Sequence, residues 1–306
     1  MEELTHLSYS SLQLYAECKH SWFGHYVLGR ESKPTAVMIL GRAIDEALSE
    51  SSRHRQETGQ YLAPEVVTAI FHEAFDHDIP EDAGQPRSLL APLSPFWRGE
   101  EKETMVKQGD QLILVYFTKE WATEDEADFV PLRSAAMIQP EAVQRRVELA
   151  LPGEYVQKLV GILDLEDETG IVVDWKVRKR SSSWDGMDFD LQPTTYAALR
   201  GEPTLLQFIE LIRGDRGVSI KAHTTTRTQQ DIDWFLAYVQ HTARDIDRSL
   251  KQLYAEMGDI ALWRDDPEAV AHAASAFPPS PGRRCMYDGH FIDCKYRAGA
   301  LEGIEE

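Results

Sequence analysis

The chain has 306 residues, of which 42% are hydrophobic and 9% aromatic, so it can build a packed core and is not a disordered protein. Its net charge of −19 argues against a protein that coats nucleic acid through its overall charge, but not against one locally basic groove. An odd count of three cysteines, with no apolar signal segment and no run of about 18 apolar residues, argues against a disulfide scaffold, secretion and a membrane span, and indicates a cytoplasmic protein.

The first 125 residues are predicted to be mostly helical. Ser10 and Gln13 have the spacing of a capping box, which predicts a helix start at that point. Three later stretches repeat their apolar residues at helical spacing: MILGRAIDEALSES, PEVVTAIFHEAFDHD and KETMVKQGDQLILVYFTKEWATE.

Beyond this part the period of the pattern becomes that of strands, with helices between them. In chain order the segments are the strands QRRVELALPG, YVQKLVGILDLED and GIVVDWKV, the helix MDFDLQPTTYAALRG, the strands TLLQFIELIRG and VSIKAHTTTR, and a long helix from about residue 228. From about residue 263 a tail rich in proline and glycine follows. The order predicts an α/β protein, a single domain over 1–306, with a helical part (1–125), a core with a mixed β-sheet flanked by helices (126–262) and a cysteine-containing tail (263–306).

Charged residues interrupt two of these apolar strands. Asp164 lies within one, and Asp174 and Lys176 close the next. Side chains of paired strands lie roughly 5 Å apart, and two carboxylates at that distance repel unless a cation lies between them. Oxygen ligands suit Mg²⁺ or Mn²⁺, and an ammonium on the same strand face can hold an attacking water. The alternative is a solvated Asp–Lys pair at a surface turn.

The stretch GILDLEDETGIVVDWK resembles the core of the PD-(D/E)XK nuclease superfamily, and more narrowly that of the RecB-like exonucleases, including CRISPR-associated and phage-encoded ones. The resemblance implies a restriction-endonuclease-like fold. Other segments resemble that family in the same order, over about residues 8–296: SYSSLQLYAECKHSWFGHYV, LGRAIDEAL, LQPTTYAAL and CMYDGHFIDC.

The resemblance implies roles for individual residues. Asp164 and Asp174 become ligands of Mg²⁺ or Mn²⁺, Lys176 the catalytic lysine, and the Trp175 backbone carbonyl a further ligand. Gln192 and Tyr196 would position substrate, the alternative being a helix with one buried tyrosine. Where the family helix usually supplies a histidine ligand this chain has Asp45, which is either a third carboxylate ligand or a polar residue of the helix face.

The cysteines match the family's iron–sulfur pattern with one departure. Cys18, Cys285 and Cys294 fall at cluster positions, and Asp288 stands where the pattern has a fourth cysteine. Thiolates favour an iron–sulfur cluster or zinc. The alternative is that Cys18 is a small buried residue and the tail is a decayed site without metal.

A basic run follows the proposed catalytic lysine. Arg178, Lys179 and Arg180 could contact DNA phosphates beside the metal, the alternative being a solvated loop. Four aromatic residues could stack on the bases of a single strand, although core packing is the better interpretation for the first two: Trp22, Phe23, Tyr26 and Trp184.

The resemblance implies a metal-dependent DNA exonuclease that hydrolyses phosphodiester bonds from DNA ends or in single strands. Such proteins serve recombination, repair or phage DNA processing, with a recombination or CRISPR-type protein as partner, and a phage-encoded one would act in the host cytoplasm. One alternative is a non-catalytic DNA-binding or assembly subunit with the same fold, favoured by the net charge and by Asp45. An endonuclease of the same fold is the other.

Overall fold

The computed structural model describes residues 6–30, 34–81, 83, 96–97, 99–123, 132–181 and 190–280. Four residues singled out above lie outside these ranges: Trp184, Cys285, Asp288 and Cys294.

Internal contacts divide the chain into two compact units, each built from separate stretches of sequence. The terminal unit comprises Met1–Ser32, Glu148–Gly161 and Asp233–Glu306, and the central unit comprises Lys33–Val147 and Ile162–Ile232. The single domain with parts ending at residues 125 and 262 stays a prediction.

The predicted helices and strands occur in the predicted order, and the structure adds two short strands, His6–Leu7 and Ala122–Thr123, and a helix, Pro267–Ala273, in the predicted tail. The helices are α1 (Tyr9–Glu17), α2 (Lys19–Trp22), α3 (Ala36–Thr58), α4 (Pro64–Asp78), α5 (Lys102–Thr118), α6 (Leu191–Arg200), α7 (Gln229–Met257) and α8 (Pro267–Ala273). The strands are β1 (His6–Leu7), β2 (Ala122–Thr123), β3 (Pro140–Ala150), β4 (Lys158–Asp167), β5 (Val172–Arg178), β6 (Thr204–Gly214) and β7 (Gly217–Arg227).

The terminal unit begins with a short extended segment, and this moves the first helix start away from the predicted residue. Ser8, not Ser10, caps α1: its backbone is extended, and it forms a reciprocal capping box with Ser11. Ser10 lies inside the helix because β1, which pairs in parallel with the first residues of β4, ends at Leu7. The capping box predicted at Ser10 and Gln13 was therefore wrong by two residues.

The terminal unit has its own aromatic core. Trp22 and Phe23 are almost fully buried and both contact the Phe277 ring, with centroid separations of 5.8 Å and 4.8 Å. This is the core-packing alternative considered for these two residues. Neither ring is available to stack on a nucleobase.

The central unit holds a mixed sheet of order β4-β5-β6-β7-β2, to which β3 adds by pairing with β4. β4 and β5 are antiparallel, β5 and β6 parallel, and β6 and β7 antiparallel. Parallel pairing of β5 with β6 needs a crossover connection, and α6 lies within it.

Helices pack against both faces of β5. Val173 and Trp175 belong to the main apolar core, which α3, α4 and α5 complete. Val172 points the other way and packs with Tyr196 of α6 and Leu206 of β6. The alternation sends Asp174 to the α6 face. The predicted class, a mixed sheet flanked by helices, is confirmed.

Within the ranges given above, no helix is both long enough and apolar enough to cross a lipid bilayer.

Candidate active site

Asp174, at the end of the apolar part of β5, is the centre of a buried polar cluster. Its side chain is almost inaccessible, and Gln192 Nε2 and the Tyr196 hydroxyl donate to its Oδ1 at 2.8 Å and 3.1 Å. Lys176 Nζ lies 2.6 Å from its Oδ2. A buried carboxylate with both oxygens engaged in this way has a fixed orientation.

The start of α6 presents the two side chains that hold Asp174. Asp190 caps the helix by accepting from the Gln192 backbone N–H at 2.8 Å, and Gly201, with φ of 73°, ends it. Gln192 and Tyr196 are four residues apart and so lie on one helix face, where Gln192 Nε2 also donates to the Tyr196 hydroxyl at 2.7 Å. The helix was predicted with these residues in it. That they position substrate stays a prediction.

Asp164 lies on the neighbouring strand, opposite Asp174. The register pairs Leu165 with Val173, and continuing it by one residue brings the two aspartates face to face. The Trp175 backbone N–H donates to Asp164 Oδ2 at 3.2 Å. Burial, followed by the charges of Asp174 and Asp45, holds the pKa of Asp164 well above its ordinary range.

Trp175 itself faces the main core. Its indole N–H donates to the Tyr116 hydroxyl at 3.2 Å, which fixes the strand from the other side. The contribution of its carbonyl to a metal stays a prediction.

Asp45 reaches the same cluster from α3. Burial and then the Asp174 charge raise its pKa to about 6, against the opposing effects of Lys176, Gln144 and Arg53. Asp45 is half-buried, and its charge interacts with those of Asp164 and Asp174, so it lies near these two strand residues. The role of Asp45 as a metal ligand stays a prediction.

The pKa of Asp45 predicts how the metal-free protein responds to pH. Asp45 loses its proton at about pH 3.8 in the unfolded chain but only at about pH 6 in the folded protein. Between these two pH values the folded protein holds the proton more tightly than the unfolded chain does. Relative to higher pH, protonated Asp45 therefore stabilises the folded protein. This contribution is complete below about pH 3.8 and is lost as the pH rises to about 6 and above. In EDTA we therefore expect Asp45→Asn to raise the free energy of unfolding relative to wild type more at pH 7.5 than at pH 5, by on the order of 1 kcal/mol.

Urea unfolding at the two pH values measures this difference. Glu46→Gln, at the next and exposed position of α3, is the control and should follow the wild-type dependence. Equal pH dependence in wild type and Asp45→Asn would contradict the burial of an ionised Asp45.

Lys176 supplies positive charge to the cluster. Burial alone would lower its pKa, but the charges of Asp174 and Asp164 outweigh burial and raise the pKa of Lys176 above its ordinary value. The ammonium is therefore retained at neutral pH. Such a group can donate to a water or to a phosphate oxygen.

The fit of a metal ion follows from the chemistry of these donors. Within the described ranges, no three histidine, cysteine or carboxylate side chains converge closely enough to hold a metal as they stand. Asp45, Asp164 and Asp174 nevertheless form an all-oxygen set whose charges act on one another. Oxygen donors of this kind suit Mg²⁺ or Mn²⁺, so the donor set fits these ions by its chemistry, and binding of an ion would draw the three carboxylates closer together.

The basic run after Lys176 has acidic partners. Arg178 Nε lies 3.1 Å from Oε1 of the fully buried Glu210, and Lys179 Nζ lies 3.5 Å from Glu100 Oε1. Arg180 is exposed. Contact of these three residues with DNA stays a prediction.

Glu210 and Gln144 were not identified from the sequence. Glu210 also accepts from the Ser181 hydroxyl at 2.9 Å and lies 3.2 Å from His223 Nε2, so the exit of β5 is tied to β6 and β7. A signal for it existed, because an acid in the middle of the apolar run TLLQFIELI breaks the pattern in the way that Asp164 does. Gln144 gives no comparable local signal.

In the terminal unit, Cys18 is buried. Burial raises the pKa of its thiol, but hydrogen bonds with Ser21 and with the backbone of Ser280 outweigh this and lower the pKa overall. Ser280 is the last described residue before the tail, so the approach of Cys285 and Cys294 to Cys18 stays a prediction.

Comparison with known proteins gives matches of two kinds, to a family model and to solved structures. No curated protein sequence matches the chain. A crystal structure called "Putative exonuclease" from Eubacterium rectale aligns with 13% identity and a TM-score of 0.44, covering 91% of this chain and 85% of that one. The family model described as the PD-(D/E)XK nuclease superfamily matches residues 6–298.

Proposed function

The chain belongs to the PD-(D/E)XK nuclease superfamily, and from that premise we propose that it is a metal-dependent DNA exonuclease of the RecB-like type. Nucleases of the superfamily generally use Mg²⁺ or Mn²⁺. The reaction is the hydrolysis of a phosphodiester bond: water attacks phosphorus, the P–O bond to the leaving sugar breaks, and the leaving oxygen takes up a proton.

One observation carries the proposal more than any other. Asp174 of β5 is held at both carboxylate oxygens by Gln192, Tyr196 and Lys176, and it lies opposite Asp164 on β4. Holding an almost fully buried carboxylate beside a half-buried carboxylate and a half-buried ammonium costs desolvation energy that an apolar set would not. A cluster retained at that cost is typical of a site where charge is used chemically.

Each residue of the cluster has a task that follows from its contacts. Gln192 and Tyr196 fix the direction of Asp174, and the Trp175 N–H fixes that of Asp164. Lys176, kept protonated by these acids, orients the attacking water or stabilises negative charge on the phosphate oxygens. A divalent ion bound by Asp45, Asp164 and Asp174 would activate water and neutralise phosphate charge.

The experiment that tests the proposal compares two DNA substrates. Because an exonuclease needs an end, we expect end-labelled linear DNA to be degraded and closed circular DNA of the same sequence to survive. Degradation should require Mg²⁺ or Mn²⁺, with Mn²⁺ at least as effective, and should stop in EDTA.

The other outcomes identify the alternatives. Cleavage of the circle indicates an endonuclease of the same fold. Binding of DNA without cleavage in either metal supports the non-catalytic subunit, which the −19 net charge and the aspartate at position 45 favour. A role in recombination, repair or phage DNA processing, with a corresponding protein partner, belongs to the same proposal.

The cysteine prediction extends the proposal to the terminal unit. Cys18 is buried and hydrogen-bonded with Ser21 and with the backbone of Ser280, the last described residue before the tail that carries the other two cysteines. We expect anaerobically purified protein to contain iron and sulfide and to absorb broadly near ~400 nm.

The Cys18→Ser variant should lose that absorbance and unfold at a lower temperature, because metal binding and folding are coupled. Stoichiometric zinc in a colourless sample would support a thiolate site of another kind. Protein without bound metal at this site would contradict both the iron–sulfur cluster and the zinc site. It would leave the nuclease proposal unaffected.

A further inference from the structure

Gln144 has an unusual backbone conformation in the middle of β3. Its φ is 50°, and among the described residues it is the one non-glycine residue with a positive φ. For a residue with a Cβ atom this left-handed conformation costs roughly 1–3 kcal/mol relative to an extended one. Glycine would adopt it without that cost. Glutamine and not glycine occupies this position, so a contact of its side chain has to offset that cost.

The side-chain amide of Gln144 is directed at two residues of α3. Its Nε2 lies 3.1 Å from Asp45 Oδ2 and 3.4 Å from Oδ1, and 3.0 Å from the Ser49 hydroxyl oxygen. An amide group has two N–H donors, so one serves the carboxylate and the other the buried hydroxyl. The reversed amide would place its carbonyl oxygen against the Asp45 carboxylate, which is repulsive.

The Asp45 carboxylate has other attractions to satisfy. Lys176 and Arg53 both attract it, while Asp174 repels it. Attraction to these cations alone does not define one orientation of the Asp45 carboxylate, whereas a hydrogen bond is directional and does. The Gln144 amide provides that hydrogen bond from β3, the strand that pairs with β4 and so with the strand carrying Asp164.

We propose that Gln144 is a positioning residue that orients the Asp45 carboxylate towards a divalent cation shared with Asp164 and Asp174. The inference rests on the proposed function and deepens it, since it assigns to the metal site a residue that makes no contact with the metal. The backbone strain at Gln144 is the cost of reaching Asp45 and Ser49 from β3.

The test measures Mn²⁺ binding to the full-length protein by calorimetry, which does not depend on cleavage. Gln144→Gly and Gln144→Ala should each weaken Mn²⁺ binding by about tenfold or more, the usual effect of removing an outer hydrogen bond to a ligand. Gln144→Gly should be more stable than Gln144→Ala, because glycine relieves the strain that alanine retains.

Gln56→Ala is the matched control. Gln56 also ties α3 to β3, through its amide and the Glu141 carbonyl, but that contact involves no residue of the metal site. We expect wild-type Mn²⁺ affinity from this variant. Cleavage by Gln144→Gly should recover towards the wild-type rate at saturating Mn²⁺, which a general folding defect would not allow.

A double-mutant comparison decides whether the effect passes through Asp45. In an Asp45→Ala background, Gln144→Gly should cause no further loss of Mn²⁺ affinity. A further loss of the same size would overturn the inference, as would unchanged affinity in Gln144→Gly and Gln144→Ala. Wild-type protein that binds no Mn²⁺ and cleaves no DNA would overturn the proposed function together with it.

Discussion

Replacing Asp174 with asparagine, or Lys176 with alanine, is expected to lower the rate of DNA hydrolysis at least about a hundredfold while the protein stays folded. A preorganised charged group in a water-poor site contributes on the order of 10² to 10³ in rate, and Asp174 is in addition a proposed metal ligand. The measurement is the initial rate on end-labelled linear DNA in Mn²⁺ and in Mg²⁺.

The Asp174→Asn variant should lose activity but not thermal stability. Asp174 is paired with Lys176 at 2.6 Å, but the cluster holds three carboxylates for one ammonium. The charge of Asp174 raises the pKa values of Asp164 and Asp45, so its net effect on the metal-free fold is repulsive. Asp174→Asn keeps the shape and removes the charge. In EDTA it should unfold at the same or a higher temperature than wild type, which separates loss of chemistry from loss of fold.

Lys158→Ala provides the matched control for the lysine variant. Lys158 lies on β4 and forms a 2.8 Å ion pair with Glu148, away from the carboxylate cluster. It should keep the wild-type rate. Cleavage within tenfold of wild type by Asp174→Asn or by Lys176→Ala would show that the site has been assigned wrongly.

The second large effect is expected on stability, at the contact between α4 and α5. Gly109 of α5 lies against the fully buried Phe71 ring, and a methyl group added to it would be 2.5 Å from Phe71 Cε1 and closer still to Cζ. The ring is fully buried in the main core, so any shift of it displaces other packed side chains. Gly109→Ala should therefore lower the free energy of unfolding by about 2 kcal/mol or more.

Gly41→Ala serves as the control for helix propensity. Gly41 lies in α3, and a Cβ there would meet nothing within 4 Å, so alanine should stabilise the protein by roughly 0.5–1 kcal/mol. In a Phe71→Leu background the cost of Gly109→Ala should shrink, because leucine leaves room for the methyl. Urea unfolding measures all four variants, and a Gly109→Ala protein as stable as wild type would show that the two helices separate freely.

The paired strands of the candidate site were predictable because their signal is local. A charged residue at the end of an apolar run stands out within eight residues, and strand alternation then assigns Asp174 and Lys176 to one face. The same reasoning applied to β6 would have identified Glu210. Its partners, Arg178 and His223, lie on other strands, so the residues beside Glu210 do not indicate what it contacts.

Gln144 and the first helix cap show what local patterns leave undetermined. The conformation of Gln144 depends on the pairing of β3 with β4 and on the position of α3, none of which is encoded in the residues beside it. Ser8 and Ser10 are both good capping residues. The choice between them was made by the pairing of Leu7 with Leu159, about 150 residues away.

The division of the chain into interleaved segments has a consequence for its synthesis. Every residue of the central unit has been made once Ile232 is added, whereas the terminal unit needs a last segment that begins at Asp233. Until then Trp22 and Phe23 lack Phe277, the ring that both contact in the finished protein. A product that ends prematurely near residue 232 would thus carry all the proposed catalytic residues together with an uncovered aromatic surface, and chaperones and proteases recognise such surfaces.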